Sequence, residues 1–196
     1  WQLVKPNPIT MDSSFHIKVN PISFYNNNQL ITIDGTLSKD DDDKCDVFIQ
    51  NVKLSQLNPL LAGANFSIDG SLTGNISLYS AFNKQIVNSN IDFSEFKLNN
   101  KLIGSGELHS EYNPDKEYVS IRGFSSFGKD FDGNLMKNID FSGFYYTKKE
   151  DDNLDISFKA EPFDLSLLQP YLKDIITIKV GFLNGTGKVT GTPSKP

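Results

Sequence analysis

From Asn65 to Tyr79 the chain alternates between apolar and polar residues. Phe66, Ile68, Gly70, Leu72, Gly74, Ile76 and Leu78 fall on one face, and Asn65, Ser67, Asp69, Ser71, Thr73, Asn75 and Ser77 on the other. A period of two is that of a half-buried β-strand. At about 3.3 Å per residue the run predicts a strand of about 50 Å, longer than most. Gly70 and Gly74 lie on the apolar face, where a missing side chain permits a bend or close backbone approach. The strand is expected to curl toward that face.

The same alternation returns along the chain. It is carried by Phe15, Ile17 and Val19, then Ile31, Ile33, Gly35 and Leu37, then Val47 and Ile49. Ile91 and Phe93, Leu102 to Leu108, Tyr118 to Phe124, Ile139 to Tyr145 and Leu154 to Phe158 continue it. Turn-forming runs separate these segments at Asn26–Asn28, Asp40–Asp43, Asn113–Asp115, Gly128–Asn134 and Lys148–Asn153. Strands spaced in this way predict a mostly-β, antiparallel, meander-like sheet.

One unit is repeated. Leu54, Ser55, Leu57, Pro59 and Leu61 recur as Leu165, Ser166, Leu168, Pro170 and Leu172, and Gly70, Leu72 and Gly74 recur as Gly181, Leu183 and Gly185. The spacing never changes, so the two units align without a gap. Each reads as a short helical segment around a proline, followed by a glycine-punctuated strand. In the first, Asn58 is positioned to cap and Pro59 to take the first helical position. The units cover about 54–93 and 165–196, with further strands over 94–164, and the whole reads as a piece of a longer repetitive protein.

Composition narrows the chemistry. A net charge of −5 and a pI near 5.0 oppose a nucleic-acid surface, which needs clustered Lys and Arg. A single cysteine, Cys45, excludes an internal disulfide and a multi-cysteine metal site. His16 and His109 fall on polar positions without an acid or cysteine at ligand spacing in the sequence, and read as surface residues. The Asp40–Asp43 run reads as a solvated hairpin tip. No catalytic constellation, metal site or cofactor is expected, and the chain does not read as an enzyme.

A Leu-Ser-x-Leu-x-Pro-x-Leu turn, a Gly-x-Leu-x-Gly strand and a Gly-Thr-Pro link at Gly191–Pro193 resemble the AsmA-like proteins of diderm bacterial envelopes, and the TamB family most. The resemblance implies a long curved antiparallel sheet, folded like a taco or gutter, with an apolar groove. It implies a periplasmic location, a parent protein anchored in the inner membrane, and phospholipid acyl chains as cargo. It also implies an outer-membrane barrel partner of the TamA or BamA type and a part in outer-membrane protein assembly. The groove candidates are Phe66, Ile68, Leu72, Ile76 and Leu78, with Leu183 and Val189 as equivalents of Leu72 and Leu78. Leu54, Leu57, Pro59, Gly70, Gly74, Leu165, Leu168, Pro170, Gly181 and Gly185 are the structural positions of the repeat. The competing expectation is a β-sandwich binding or adhesion module of a secreted protein.

Overall fold

The computed structural model describes residues 1–61, 67–149, 151–168 and 181–192. Twelve strands run in one sheet: β1 (Gln2–Lys5), β2 (Ile9–Met11), β3 (Ile17–Asn26), β4 (Gln29–Leu37), β5 (Lys44–Lys53), β6 (Ile68–Tyr79), β7 (Ile86–Leu98), β8 (Lys101–Asn113), β9 (Tyr118–Lys129), β10 (Leu135–Tyr146), β11 (Leu154–Asp164) and β12 (Phe182–Gly191). From β3 onward each strand pairs antiparallel with the next, and the sheet stays open. The fold is therefore the mostly-β open meander that the alternation predicts. A sandwich would need two sheets packed face to face, and the described strands form one.

β1 and β2 both pair with β3, at Leu3–Phe24 and at Ile9–Val19. They are two halves of one edge strand, interrupted over Pro6-Asn7-Pro8. Prolines cannot donate to a ladder, so they break this edge as a template for pairing. Each half is too short for alternation to register in the sequence.

Cross-strand pairs point to the same face, so the register defines what each face carries. Along one line, Ile33, Val47 and Ile76 are successive partners; along another, Ile31, Ile49, Gly74, Ile91 and Leu108 are. Farther on, Gly123, Phe141, Phe158 and Gly187 continue the same face. The opposite face carries Asn75, Asn90, His109, Arg122, Ser142, Ser157 and Lys188 in register. One apolar face and one polar face thus run across the sheet. No second layer lies over it among the described residues, and full burial on the apolar face comes at scattered points, among them Val19, Cys45, Ile91, Val119 and Ala160.

Aromatic rings on that face lie over glycines of the neighbouring strand. A Cβ at Gly106 would stand 2.8 Å from Cζ of Phe93, one at Gly123 would stand 2.7 Å from the Phe141 ring, and one at Gly187 would stand 2.4 Å from Cζ of Phe158. Each ring lies along the sheet on a position that has no side chain, covering backbone that would otherwise face solvent.

Bending has a separate cause. In β3, β5, β7 and β11, two residues oppose one on the following strand: 20–21, 50–51, 94–95 and 161–162. Such bulges bend a strand and increase its twist. These four strands run in the same direction; the bulges of β5, β7 and β11 fall near the same end, whereas that of β3 lies toward the other. The extra amide is accounted for each time. Asn51 N–H donates to Thr73 Oγ1 at 3.1 Å and Glu95 N–H to Ser105 Oγ at 2.9 Å. Pro21 and Pro162 have no N–H to satisfy. Asn51 and Glu95 both adopt positive φ, 52° and 50°. The expectation that glycines supply the bend is therefore corrected in part. Gly70, at φ 113°, does lie against the bulge, where a Cβ would stand 2.7 Å from the Ser94 carbonyl. The extra residue itself comes from the partner strand.

Gly106→Ala should destabilise the protein by about 1–3 kcal/mol, because a Cβ there meets the Phe124 carbonyl as well as the Phe93 ring. Gly185→Ala, where a Cβ meets nothing within 4 Å, should change stability by less than about 0.5 kcal/mol. Denaturant unfolding of the two variants checks the contrast.

Candidate functional site: the apolar face and its two ends

Ile68, Leu72, Ile76 and Leu78 share the apolar face of β6 and are half-buried, as is Val189 on β12. Leu183 is more open, at 41% exposure, on β12, which pairs with β11 alone among the described residues. Phe66 and Pro170 lie outside the described residues. β6 begins at Ile68 and has 12 residues, so its described length is about 40 Å. Gly74 faces Ile49 on one side and Ile91 on the other, and a Cβ there would stand 2.1 Å from the Asn90 carbonyl.

The repeat holds in the pairing. Ile49–Gly74, Val52–Leu72 and Cys45–Leu78 on β5 and β6 have the counterparts Ala160–Gly185, Phe163–Leu183 and Ile156–Val189 on β11 and β12. The bulge at Asn51 has its counterpart at Pro162. The register is unchanged from one unit to the other, so corresponding side chains occupy corresponding places on the face.

The helical segments are single 3₁₀ turns, Leu54–Leu57 and Leu165–Leu168. The expectation for Asn58 and Pro59 is corrected. Lys53 stands at the N-cap without a side-chain bond, Asn58 follows the turn as its C-cap, and Pro59 comes after it. Asn58 instead acts on β6: its amide donates to the Ile68 carbonyl and its oxygen accepts the Ile68 N–H, both at 2.9 Å. A side chain thus replaces a strand partner at the point where β6 starts. Leu54 is buried, whereas Leu57 is 39% exposed. In the second turn the Leu165 N–H donates to the Gly181 carbonyl at 2.9 Å, and a Cβ on Gly181 would rest against Leu165 at 3.5 Å.

Both turns sit where the bulged strands end, and there the sheet reaches across itself. Trp1 Nε1 donates to Gln56, which donates to Gln29 at 3.0 Å, linking β1, β4 and the first turn. Lys101 at the start of β8 reaches Asp164 at 3.4 Å and also bonds Ser166 at the second turn. In a flat sheet β8 and β11 would be about 14 Å apart, so this contact requires strong curvature. The opposite end is a rim of hairpin tips joined to each other. Phe82 N–H donates to the Ser38 carbonyl at 2.9 Å, Lys84 pairs with Asp41, and Thr147 N–H donates to the Glu117 carbonyl at 3.0 Å.

Among the described residues, the apolar face carries no grouping of acid, base and nucleophile. Cys45, its one thiol, is pushed upward in pKa, first by burial and then by Asp46 and Asp34. His109 lies on the polar face, beside Arg122 in register, within a cavity of about 240 Å³ also lined by Asn75 and Asn90. His16 is not an isolated surface residue: it stands between Asp12 and Asp40. The acids are four residues before it and 24 after it, on two different loops, so no local spacing exposes the grouping.

No known protein family, curated protein or solved structure matches this chain. What the site can do follows from its own geometry. It offers an extended apolar surface, about one strand length wide, walled at one end by the 3₁₀ turns and at the other by charged tips. Such a surface can take up hydrocarbon by burial alone, at about 0.8 kcal/mol per CH₂, without polar recognition.

The Asp164 carboxylate is held below the ordinary range, chiefly because the Ser166 hydroxyl donates to it; burial opposes this, and the Ser166 N–H and Lys101 reinforce it. A depressed pKa stabilises the fold above the unfolded-state value, and that stabilisation disappears as pH falls through the folded-state value. Asp164→Asn should therefore lower the melting temperature near neutral pH. The difference from the parent protein should shrink once pH drops below the ordinary carboxylate value of about 3.9. Thermal melts across that range check it.

Proposed function

We propose that this chain is a segment of a TamB/AsmA-like envelope protein, located in the periplasm, whose apolar face carries phospholipid acyl chains between the inner and outer membranes. The same segment would serve the assembly of outer-membrane proteins with a barrel partner of the TamA or BamA type, in a parent protein anchored in the inner membrane. The observation that carries this reading is an apolar face that runs across an open sheet, with no second layer over it among the described residues. An exposed surface of this kind needs an apolar occupant, and a moving acyl chain is one that asks for no fixed polar contacts. The preserved register of the two units supports the same reading, because a path of uniform lining follows from repeating one set of strand pairs.

A photo-reactive residue at Leu72 or Ile76 should crosslink to phospholipid in cells, and the same probe at Ser71 or Asn75 on the other face should not. Leu72→Asp should leave a soluble, folded protein and abolish the lipid crosslink, since a carboxylate on an open face stays partly hydrated. Were that face a closed core, the same change would bury an unpaired charge and unfold the domain. Lipid capture that ignores the face of the probe would refute the groove.

A further inference from the structure

The tip of the β4–β5 hairpin and the loop before β3 meet at His16. Asp12 orients the ring. Its Oδ1 accepts the backbone N–H groups of Ser14 at 2.8 Å and His16 at 2.9 Å, while Oδ2 lies 2.8 Å from His16 Nδ1. A ring nitrogen facing a carboxylate at that distance is the N–H, so Nδ1 is the donor and Nε2 points away from Asp12. Nε2 lies 3.1 Å from Oδ2 of Asp40. The carboxylate of Asp43 completes a group whose ligand atoms all lie within 4.8 Å of one another.

A lone pair facing carboxylate oxygens is repulsive unless a positive charge stands between them. Lys84 pairs with Asp41 and Lys44 with Asp46 at 2.9 Å, so neither of these ammonium groups neutralises the cluster. A proton on Nε2 would serve Asp40 alone. Asp43 is half-buried, and among the described residues its carboxylate takes part in no hydrogen bond or ion pair. A divalent cation would answer both carboxylates and the imidazole together. Zinc bound at about 2.0–2.2 Å to nitrogen and oxygen sets tetrahedral neighbours about 3.3 Å apart. His16 Nε2 and Asp40 Oδ2, at 3.1 Å, stand near that separation, and the Asp43 carboxylate, within 4.8 Å, would swing closer to reach the ion.

We propose that His16 Nε2, Asp40 and Asp43 form a binding site for a divalent transition-metal ion, Zn²⁺ foremost, with Asp12 as the carboxylate that orients the histidine. One imidazole and two carboxylates suit a first-row ion of this type better than Mg²⁺, which favours an all-oxygen shell. An acid donating orientation through the far ring nitrogen is the usual support of a metal-bound histidine. The ion would fasten the loop before β3 to the β4–β5 tip, on the rim and away from the apolar face, so the site stands independently of the transport reading.

The test is calorimetric titration of the chelator-treated protein with ZnCl₂ at about pH 7.5, where an ordinary imidazole is neutral. Saturable one-to-one binding is expected, and Asp43→Asn and His16→Gln should each weaken it at least about tenfold, as should Asp12→Asn. X-ray absorption of the zinc complex should show one imidazole nitrogen among oxygen neighbours. Asp43→Asn is the decisive variant, because Asp43 supports no other contact and its loss leaves the fold intact by circular dichroism. Absence of saturable binding overturns the proposal. So does binding that Asp43→Asn leaves unchanged, which would assign the space beside Nε2 to a proton shared with Asp40.

Discussion

A sheet one layer thick has to shield its own apolar face, and the rest of this structure follows from how it does so. In a sandwich the second sheet removes water from the first. Here the task falls to rings laid flat on the glycines of adjacent strands: Phe93 on Gly106, Phe141 on Gly123 and Phe158 on Gly187. Each arrangement shields backbone without adding height, so the face remains open and nearly level. A taller side chain at any of the three glycines would raise the ring and expose both. Glycine on this face is a packing partner as much as a conformational device.

The two ends differ in how they are closed. At the end where β5, β7 and β11 finish, an extra residue in each of these three strands turns the chain inward, and long side chains then reach across several strands. Lys101 can reach Asp164 only because that end is curled. At the other end, the hairpin tips bond side by side through backbone and charged groups. One end is shaped by backbone geometry and the other by polar contacts among neighbouring loops. Together they frame the apolar face lengthwise.

Alternation made the sheet and its two faces legible, and the repeat made the equivalence of β6 and β12 legible. Ile68, Leu72, Ile76 and Leu78 fall on the apolar face because a period of two leaves no other choice once the strand exists. What escaped was set by contacts at a distance. The bulge at Asn51 depends on a hydroxyl, Thr73, that lies on another strand. Asn58 has the composition of a cap, yet its amide is matched to Ile68 across the connection. His16 has Asp12 four residues before it in the same loop, but its second partner, Asp40, arrives only when the β4–β5 tip folds beside it. Local propensity predicts elements well where burial enforces a period. It is silent where a single polar side chain chooses a partner from a different strand.

The unchanged register between the two units bears on how the molecule comes apart. Every strand from β4 to β11 owes its hydrogen bonds to the two beside it, and pairs such as Val52–Leu72 and Phe163–Leu183 are copies of one contact. Free energy in such an arrangement is close to a sum over nearest neighbours, as in a one-dimensional chain of coupled elements. Opening would then spread strand by strand from a boundary, with the short β1 and β2, held by three register pairs each, released well before the middle of the meander. Cooperativity would be graded along the sheet instead of all-or-none, and a local lesion would weaken its neighbourhood while leaving distant strand pairs intact.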